Sequence, residues 1–252
     1  MDSAGSNDLS ITGALWKAGR LGGALWFDGS DDRAITGSPT GLEMDYVTMA
    51  AWVWPDEITG SYQFVFNRKK TYSGTYTLFM DTDDTWATRV RREGAETAAD
   101  IVASDDTATA QVWTHLAATY DGSDLKLFIN GDQQREVDRV AGTIDEDYDG
   151  NPLVVGDHTD TSLVFGGLID EVRLYNRALS PAEIEQLSDA QYEAFTYDML
   201  GNRTSVTLKS GDPETYARNA ETNRYDETGS YDVQCVYDAA GNKQAVWQKP
   251  PE

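Results

Sequence analysis

The sequence predicts an all-β antiparallel sandwich followed by a smaller β-hairpin segment, and three observations carry that prediction. Short apolar, β-branched or aromatic runs recur from Ala14 to about Phe165. Clusters of Gly, Asp and Asn punctuate them at a spacing that suits a sandwich or barrel. With 252 residues, 40% hydrophobic and 11% aromatic, the chain can bury one large β core and a smaller second piece.

Taken in order, the expected strands centre on Ala24-Leu25-Trp26-Phe27, residues 47–54, residues 76–80, residues 113–120, residues 125–129 and Leu153-Val154-Val155. The breaks are residues 28–32, Asp121-Gly122-Ser123, Asn130-Gly131 and residues 149–152. Asn130-Gly131 after an apolar run is a strong hairpin signal, because a two-residue type I′ turn needs positive φ at both positions. Ser180-Pro181-Ala182-Glu183-Ile184 reads as a helix start, with serine as N-cap, proline at the first helical position and an acidic first turn. That helix runs to about Leu187 and closes the first domain, expected at 1–190. From Phe195 the chain is poor in Leu and Ile and rich in Tyr, Asp, Asn and Gly, which marks a second segment at 191–252.

Charge narrows the partners. Twenty basic residues stand against 43 acidic ones, a net charge of -23. Phosphates would be repelled, so no nucleic-acid partner and no anionic membrane surface is expected. Cation binding, a solvated acidic surface and adaptation to a salty medium all remain open. No stretch is apolar enough to insert in a membrane. One cysteine, Cys235, rules out an intrachain disulfide and a cysteine-based metal site. The first residues lack the basic and apolar regions of a signal peptide, so an exported parent would make this chain a fragment of it.

Five motifs in order then resemble the laminin-G-like, concanavalin A-like jelly-roll family. They are residues 25–32 (LWFDGSDD), 51–55 (AWVWP), 113–122 (WTHLAATYDG), 127–131 (LFING) and 167–180 (GLIDEVRLYNRALS). The resemblance implies an antiparallel jelly-roll sandwich. It also implies that the first and last of these strands lie side by side with calcium between their turns, held by carboxylates of Asp28, Asp170 and Asp32. Calcium needs six to eight oxygens. The alternative is that Asp28 only caps its turn and Asp170 only pairs with Arg173 or a backbone amide. A weaker calcium loop is Asp145, Asp147 and Asp149 before Gly150, at every second residue; its twelfth position is Gly156, so the bidentate glutamate is missing.

Catalytic chemistry finds little support. The nearest string to the E-x-D-x-E of glycosidases with this fold is Glu136-Val137-Asp138-Arg139-Val140, where Val140 breaks the carboxylate pair. There is no G-x-S-x-G and no P-loop. Two histidines cannot make a multi-histidine zinc site. His115 reads as a core histidine, and His158 as a loop residue at the rim. A glycan site needs exposed aromatic faces with polar neighbours. Trp54, Tyr72, Trp86, Tyr148 and His158 are the candidates, with Arg89 and Arg91 sharing one strand face; ordinary packing is the alternative for each. Trp26, Trp52 and Trp113 read as core.

Residues 195–204 (FTYDMLGNRT) and 236–243 (VYDAAGNK) resemble YD repeats of the RHS family, with Thr222-Asn223-Arg224-Tyr225 as a link. That resemblance implies hairpin units of a bacterial surface or secreted protein, and repeats need neighbours to bury their faces. The expected function is a non-catalytic polysaccharide-binding module, calcium-stabilised and extracellular. The alternatives are an adhesion or structural module that contacts other surface proteins, and a glycoside hydrolase or polysaccharide lyase.

Overall fold

The computed structural model describes residues 7–37, 39, 41–68, 75–92, 100–138, 142–144, 151–157 and 163–189, together with the backbone of seven strands within 194–248. The chain divides into two compact units, Met1–Ala190 and Gln191–Glu252.

The first unit is an all-β jelly-roll sandwich. Its strands begin with β1 (Leu9–Thr12), β2 (Leu15–Ala18), β3 (Gly23–Asp28), β4 (Arg33–Thr36) and β5 (Val47–Pro55). They continue with β6 (Gln63–Arg68), β7 (Tyr76–Met80), β8 (Thr85–Val90), β9 (Asp100–Thr107) and β10 (Thr114–Tyr120). The last are β11 (Asp124–Ile129), β12 (Asp132–Asp138), β13 (Leu153–Val155) and β14 (Gly166–Tyr175), followed by helix α1 (Pro181–Ser188). Sheet I has the order β1-β4-β13-β6-β7-β8-β9, and sheet II the order β12-β11-β10-β5-β14-β3-β2. Neighbouring strands in both sheets are antiparallel.

Alternation along each strand builds the core. On β5, Val47, Met49, Ala51 and Val53 enter the layer between the sheets, where they meet Tyr76, Leu78 and Met80 of β7 and Leu116 and Ala118 of β10. Each fully buried side chain of valine, leucine or methionine size contributes about 1.5–3 kcal/mol. Asn130 and Gly131 take φ of 52° and 91°, the geometry of the expected hairpin turn between β11 and β12.

The sheets also bury parts of their outer faces. Helix α1 lays Ile184 and the preceding Leu179 over Ala50, Ala117 and Phe128 of sheet II. On sheet I, Phe64, Phe79 and Ala87 cluster with Tyr62, Ala103 and Leu163. The strand pair β1–β4 was not expected from the sequence; β1 is four residues long, half polar and mostly exposed, so it has no apolar pattern to read.

In the second unit, β15 (Ala194–Tyr197), β16 (Arg203–Thr207) and β17 (Pro213–Thr215) form one sheet. Two further pairs are β18 (Ala217–Asn219) with β19 (Arg224–Asp226), and β20 (Val233–Tyr237) with β21 (Lys243–Gln248).

Candidate functional site

Away from Leu179 and Ile184, sheet II's outer face carries a row of tryptophans. On β5, Ala51 and Val53 point into the core, so Trp52 and Trp54 point out. On β3, Leu25 and Phe27 point in, so Trp26 points out. Register then aligns Trp26 with Leu168 and Leu168 with Trp54 across β3, β14 and β5. Trp113, just before β10, stands edge-on to Trp54 with ring centroids 5.8 Å apart. Trp26, Trp54 and Trp113 are each partly exposed. Two strand spacings separate Trp26 from Trp54, which is about 10 Å.

Polar groups fix this row. Trp26 Nε1 donates to Asp56 Oδ2 at 2.8 Å. Lys17 Nζ lies 3.4 Å from the Trp26 ring centroid, and the Arg20 guanidinium 4.7 Å from that of Trp52. Trp52 is buried beneath Arg20 and beside His115, whose ring is 5.2 Å away. His115 is therefore buried as expected, although on the outer face of the sheet and outside the central core.

The acidic turn between β3 and β4 brings Asp28, Asp31 and Asp32 together, with one carboxylate oxygen of each within 4.8 Å of the others. Asp32 is 5% exposed and its Oδ2 accepts the Asp28 amide at 2.9 Å. Asp28 Oδ1 accepts the Ser30 amide at 2.8 Å. The remaining oxygens are hard donors of the kind calcium takes, so the residues fit that ion.

Asp170 is not part of this group, which corrects the expected three-aspartate set. The β3–β14 register pairs Asp28 with Gly166, four residues before Asp170 and so about 13 Å away along the strand. Asp170 is a loop staple instead. Its Oδ2 accepts the Leu21 amide at 2.9 Å, and its Oδ1 the Glu171 amide at 2.8 Å. Burial raises its pKa while those amides hold it down.

Strand parity also corrects Trp86. It is 2% exposed and sits in the core between the sheets with Val90, so it offers no ring face to a ligand. Arg89 is on the opposite face of β8, its guanidinium 5.2 Å from the Phe79 ring, and burial lowers its pKa. Arg91 lies just past β8, its amide donating to Thr75 at 2.8 Å. Neither arginine is on the sheet that carries Trp54. Tyr72, Tyr148, His158, Asp145, Asp147 and Asp149 lie outside the described residues. Glu136 is exposed on the edge strand β12, beside Lys126.

Sequence reasoning missed Trp26, Trp113, Lys17, Arg20 and Asp31. The available signal was period two: Trp52 and Trp54 share a face opposite Ala51 and Val53, and Trp26 is out of phase with Leu25 and Phe27.

Residues 28–185 match the family model described as the concanavalin A-like lectin/glucanases superfamily. Among solved structures, the binding domain of Paraclostridial Mosquitocidal Protein 1 is similar at 13% identity and TM-score 0.60, over 90% of this chain and 70% of that one. Domain 4 of AbnA, an extracellular arabinanase from Geobacillus stearothermophilus solved with arabinotriose, is similar at 22% identity and TM-score 0.51, over 71% and 87%. The botulinum neurotoxin serotype D ligand binding domain, solved with N-acetylneuraminic acid, is similar at 13% identity and TM-score 0.58, over 90% and 65%. At these identities the likeness is one of fold. Comparison with curated proteins found no match.

Proposed function

Because the chain belongs to the concanavalin A-like lectin/glucanases superfamily, we propose that its first unit is a non-catalytic carbohydrate-binding module. The observation that carries this reading is the row of Trp26, Trp54 and Trp113, partly exposed on one sheet face with Asp56, Lys17 and Arg20 beside it. Sugar rings present apolar C–H faces that pack on indole, while their hydroxyls need hydrogen-bonding groups at the ring edge. A rigid sheet holds such a platform in place without ordering cost on binding.

Three finer points belong to the same proposal. Calcium at Asp28, Asp31 and Asp32 would order the turn at the end of β3, the strand that carries Trp26. The second unit is read as part of a YD-repeat region, and hence the parent as an exported bacterial protein. Its support is that two hairpins repeat the same pairing, Tyr197 with Arg203 and Tyr237 with Lys243, each with a bulge at the tyrosine. Among the described residues, no helix is long and apolar enough to cross a membrane.

The test is affinity electrophoresis of the full chain in a panel of neutral and acidic polysaccharides. Retardation by at least one of them, without product release, and its loss in Trp54→Ala with the far-UV spectrum retained, is the expected result. An unretarded chain across the panel overturns the reading. One observation would then favour adhesion to a protein instead: Ile11, Leu15 and Trp16 are exposed at 40%, 55% and 67%, all on the two edge strands β1 and β2.

A further inference from the structure

We propose that the tryptophan row of sheet II selects carboxylate-bearing polysaccharides of the uronate type, with Lys17 and Arg20 as the groups that receive the carboxylates. This rests on the carbohydrate-binding reading above and names the substrate class of that site.

The argument starts from where the cations are. Acidic residues outnumber basic ones 43 to 20, so a cation in this protein rarely lacks a nearby carboxylate. Arg33, Arg68, Lys126, Arg135, Arg173 and Arg177 each stand in an ion pair with one. Lys17 and Arg20 do not: among the described residues neither has an ion pair, and each stands over a tryptophan ring of the same sheet face. A ring face attracts a cation through its quadrupole and holds it in position, at about 0.5–1 kcal/mol for an exposed site. It leaves the charge itself unneutralised. Lys17 stands over Trp26, whose N–H is held by Asp56, and Arg20 over Trp52, two residues from Trp54. Two oriented cations without an ion pair beside an aromatic row suit a ligand that is flat, apolar on its faces and anionic at its edge.

A uronate has that form. Its ring packs on indole, and its carboxylate projects from the ring edge, close to the ring plane. Along β2, Lys17 is two residues from Leu15, the register partner of Trp26, and so points to the same face. Arg20 lies in the turn that Asp170 staples to β14, through the amide of the next residue, Leu21. Its planar fork can take a carboxylate through two parallel hydrogen bonds, which Lys17 cannot do. The chain's net charge of -23 does not forbid this. Charges beyond about 8 Å are screened at physiological ionic strength, so groups in contact with the ligand decide selectivity.

The test uses a matched pair of probes: oligomers of galacturonate and of mannuronate, and the same oligomers with their carboxylates methyl-esterified. Binding to the full chain is measured by isothermal titration calorimetry. One of the two acid series should bind about tenfold or more tightly than its ester. Lys17→Gln combined with Arg20→Gln should remove that preference, so that acid and ester bind with equal affinity. Trp54→Ala should weaken acid and ester alike. Equal affinities for acid and ester, a preference that survives in the double variant, or binding of neutral polysaccharides alone would each overturn the inference while the binding-module reading stands. No binding of any uronate or of any polysaccharide in the panel would overturn both.

Discussion

His115 sits on the outer face of sheet II, 2% exposed, and its Nδ1 finds no hydrogen-bond partner among the described residues. Burial, with the Arg173 charge adding to it, pulls its pKa down from 6.5 to about 4. The neutral imidazole is therefore the folded form. An unfolded chain takes up this proton as pH drops through about 6.5, and the folded chain resists until about 4. The stability linked to this residue is complete above the upper value and is lost progressively toward the lower one, to roughly 3 kcal/mol in all. We predict that urea midpoints fall as pH goes from 7 to 5, and that His115→Asn flattens this slope whatever its effect on absolute stability. Equal slopes in the two proteins would assign the acid sensitivity to carboxylates instead. The ring of His115 also supports Trp52, 5.2 Å away, so acid loosening would begin under the proposed binding face.

At the scale of elements, α1 shows how a short helix is held. Eight residues are too few to form a stable helix alone. Ser180 Oγ accepts the Glu183 amide at 3.4 Å, and Glu183 Oε2 accepts the Ser180 amide at 2.8 Å. Arg177 donates two hydrogen bonds to the same carboxylate, and together these partners pull the Glu183 pKa down to about 2. Ile184 then closes over Phe128. Ser180→Ala should cost about 1 kcal/mol, which is a few degrees in thermal midpoint for a unit of this size; an unchanged midpoint would mean that burial alone holds the helix. The N-cap, the proline and the acidic first turn made α1 legible in the sequence, as Asn130-Gly131 did for the β11–β12 hairpin. Strand β1 was not legible, because an exposed, half-polar edge strand carries no periodic signal. The proposed binding face was half legible. Trp54 stood out, but Trp26 lies in an unbroken apolar run, Leu25-Trp26-Phe27, whose inward side depends on a partner sheet that local pattern cannot supply. Asp170 was misplaced for a related reason: motifs show that two strands are neighbours, but not their register. The register is interrupted by a bulge between Asp170 and Arg173, with Glu171 at φ 50°.

Over the whole molecule, the charge of -23 is a standing self-repulsion. Its relief can come from general screening or from a bound cation, and the two are separable. Screening depends on ionic strength and saturates once the Debye length shrinks to a few ångströms, near 1 M salt. A site of three carboxylates depends on the identity of the ion: calcium accepts irregular oxygen cages, whereas magnesium demands octahedral geometry and gives up water reluctantly. A site that binds only the folded chain adds stability by mass action, about 2.7 kcal/mol at a hundredfold excess over the dissociation constant. In 0.5 M sodium chloride, where most screening is already in place, we predict that millimolar calcium still raises the thermal midpoint by several degrees and that equal magnesium raises it much less. Asp31→Asn is the discriminating variant. Asp31 is exposed and shares the turn with Asp28 and Asp32, whose carboxylates already brace backbone amides. Its loss should leave the calcium-free midpoint nearly unchanged and remove most of the calcium-dependent rise. If calcium and magnesium act alike, or if Asp31→Asn responds to calcium as the parent chain does, the ion is acting as general counter-charge, and the β3–β4 turn is a self-braced loop that needs no metal.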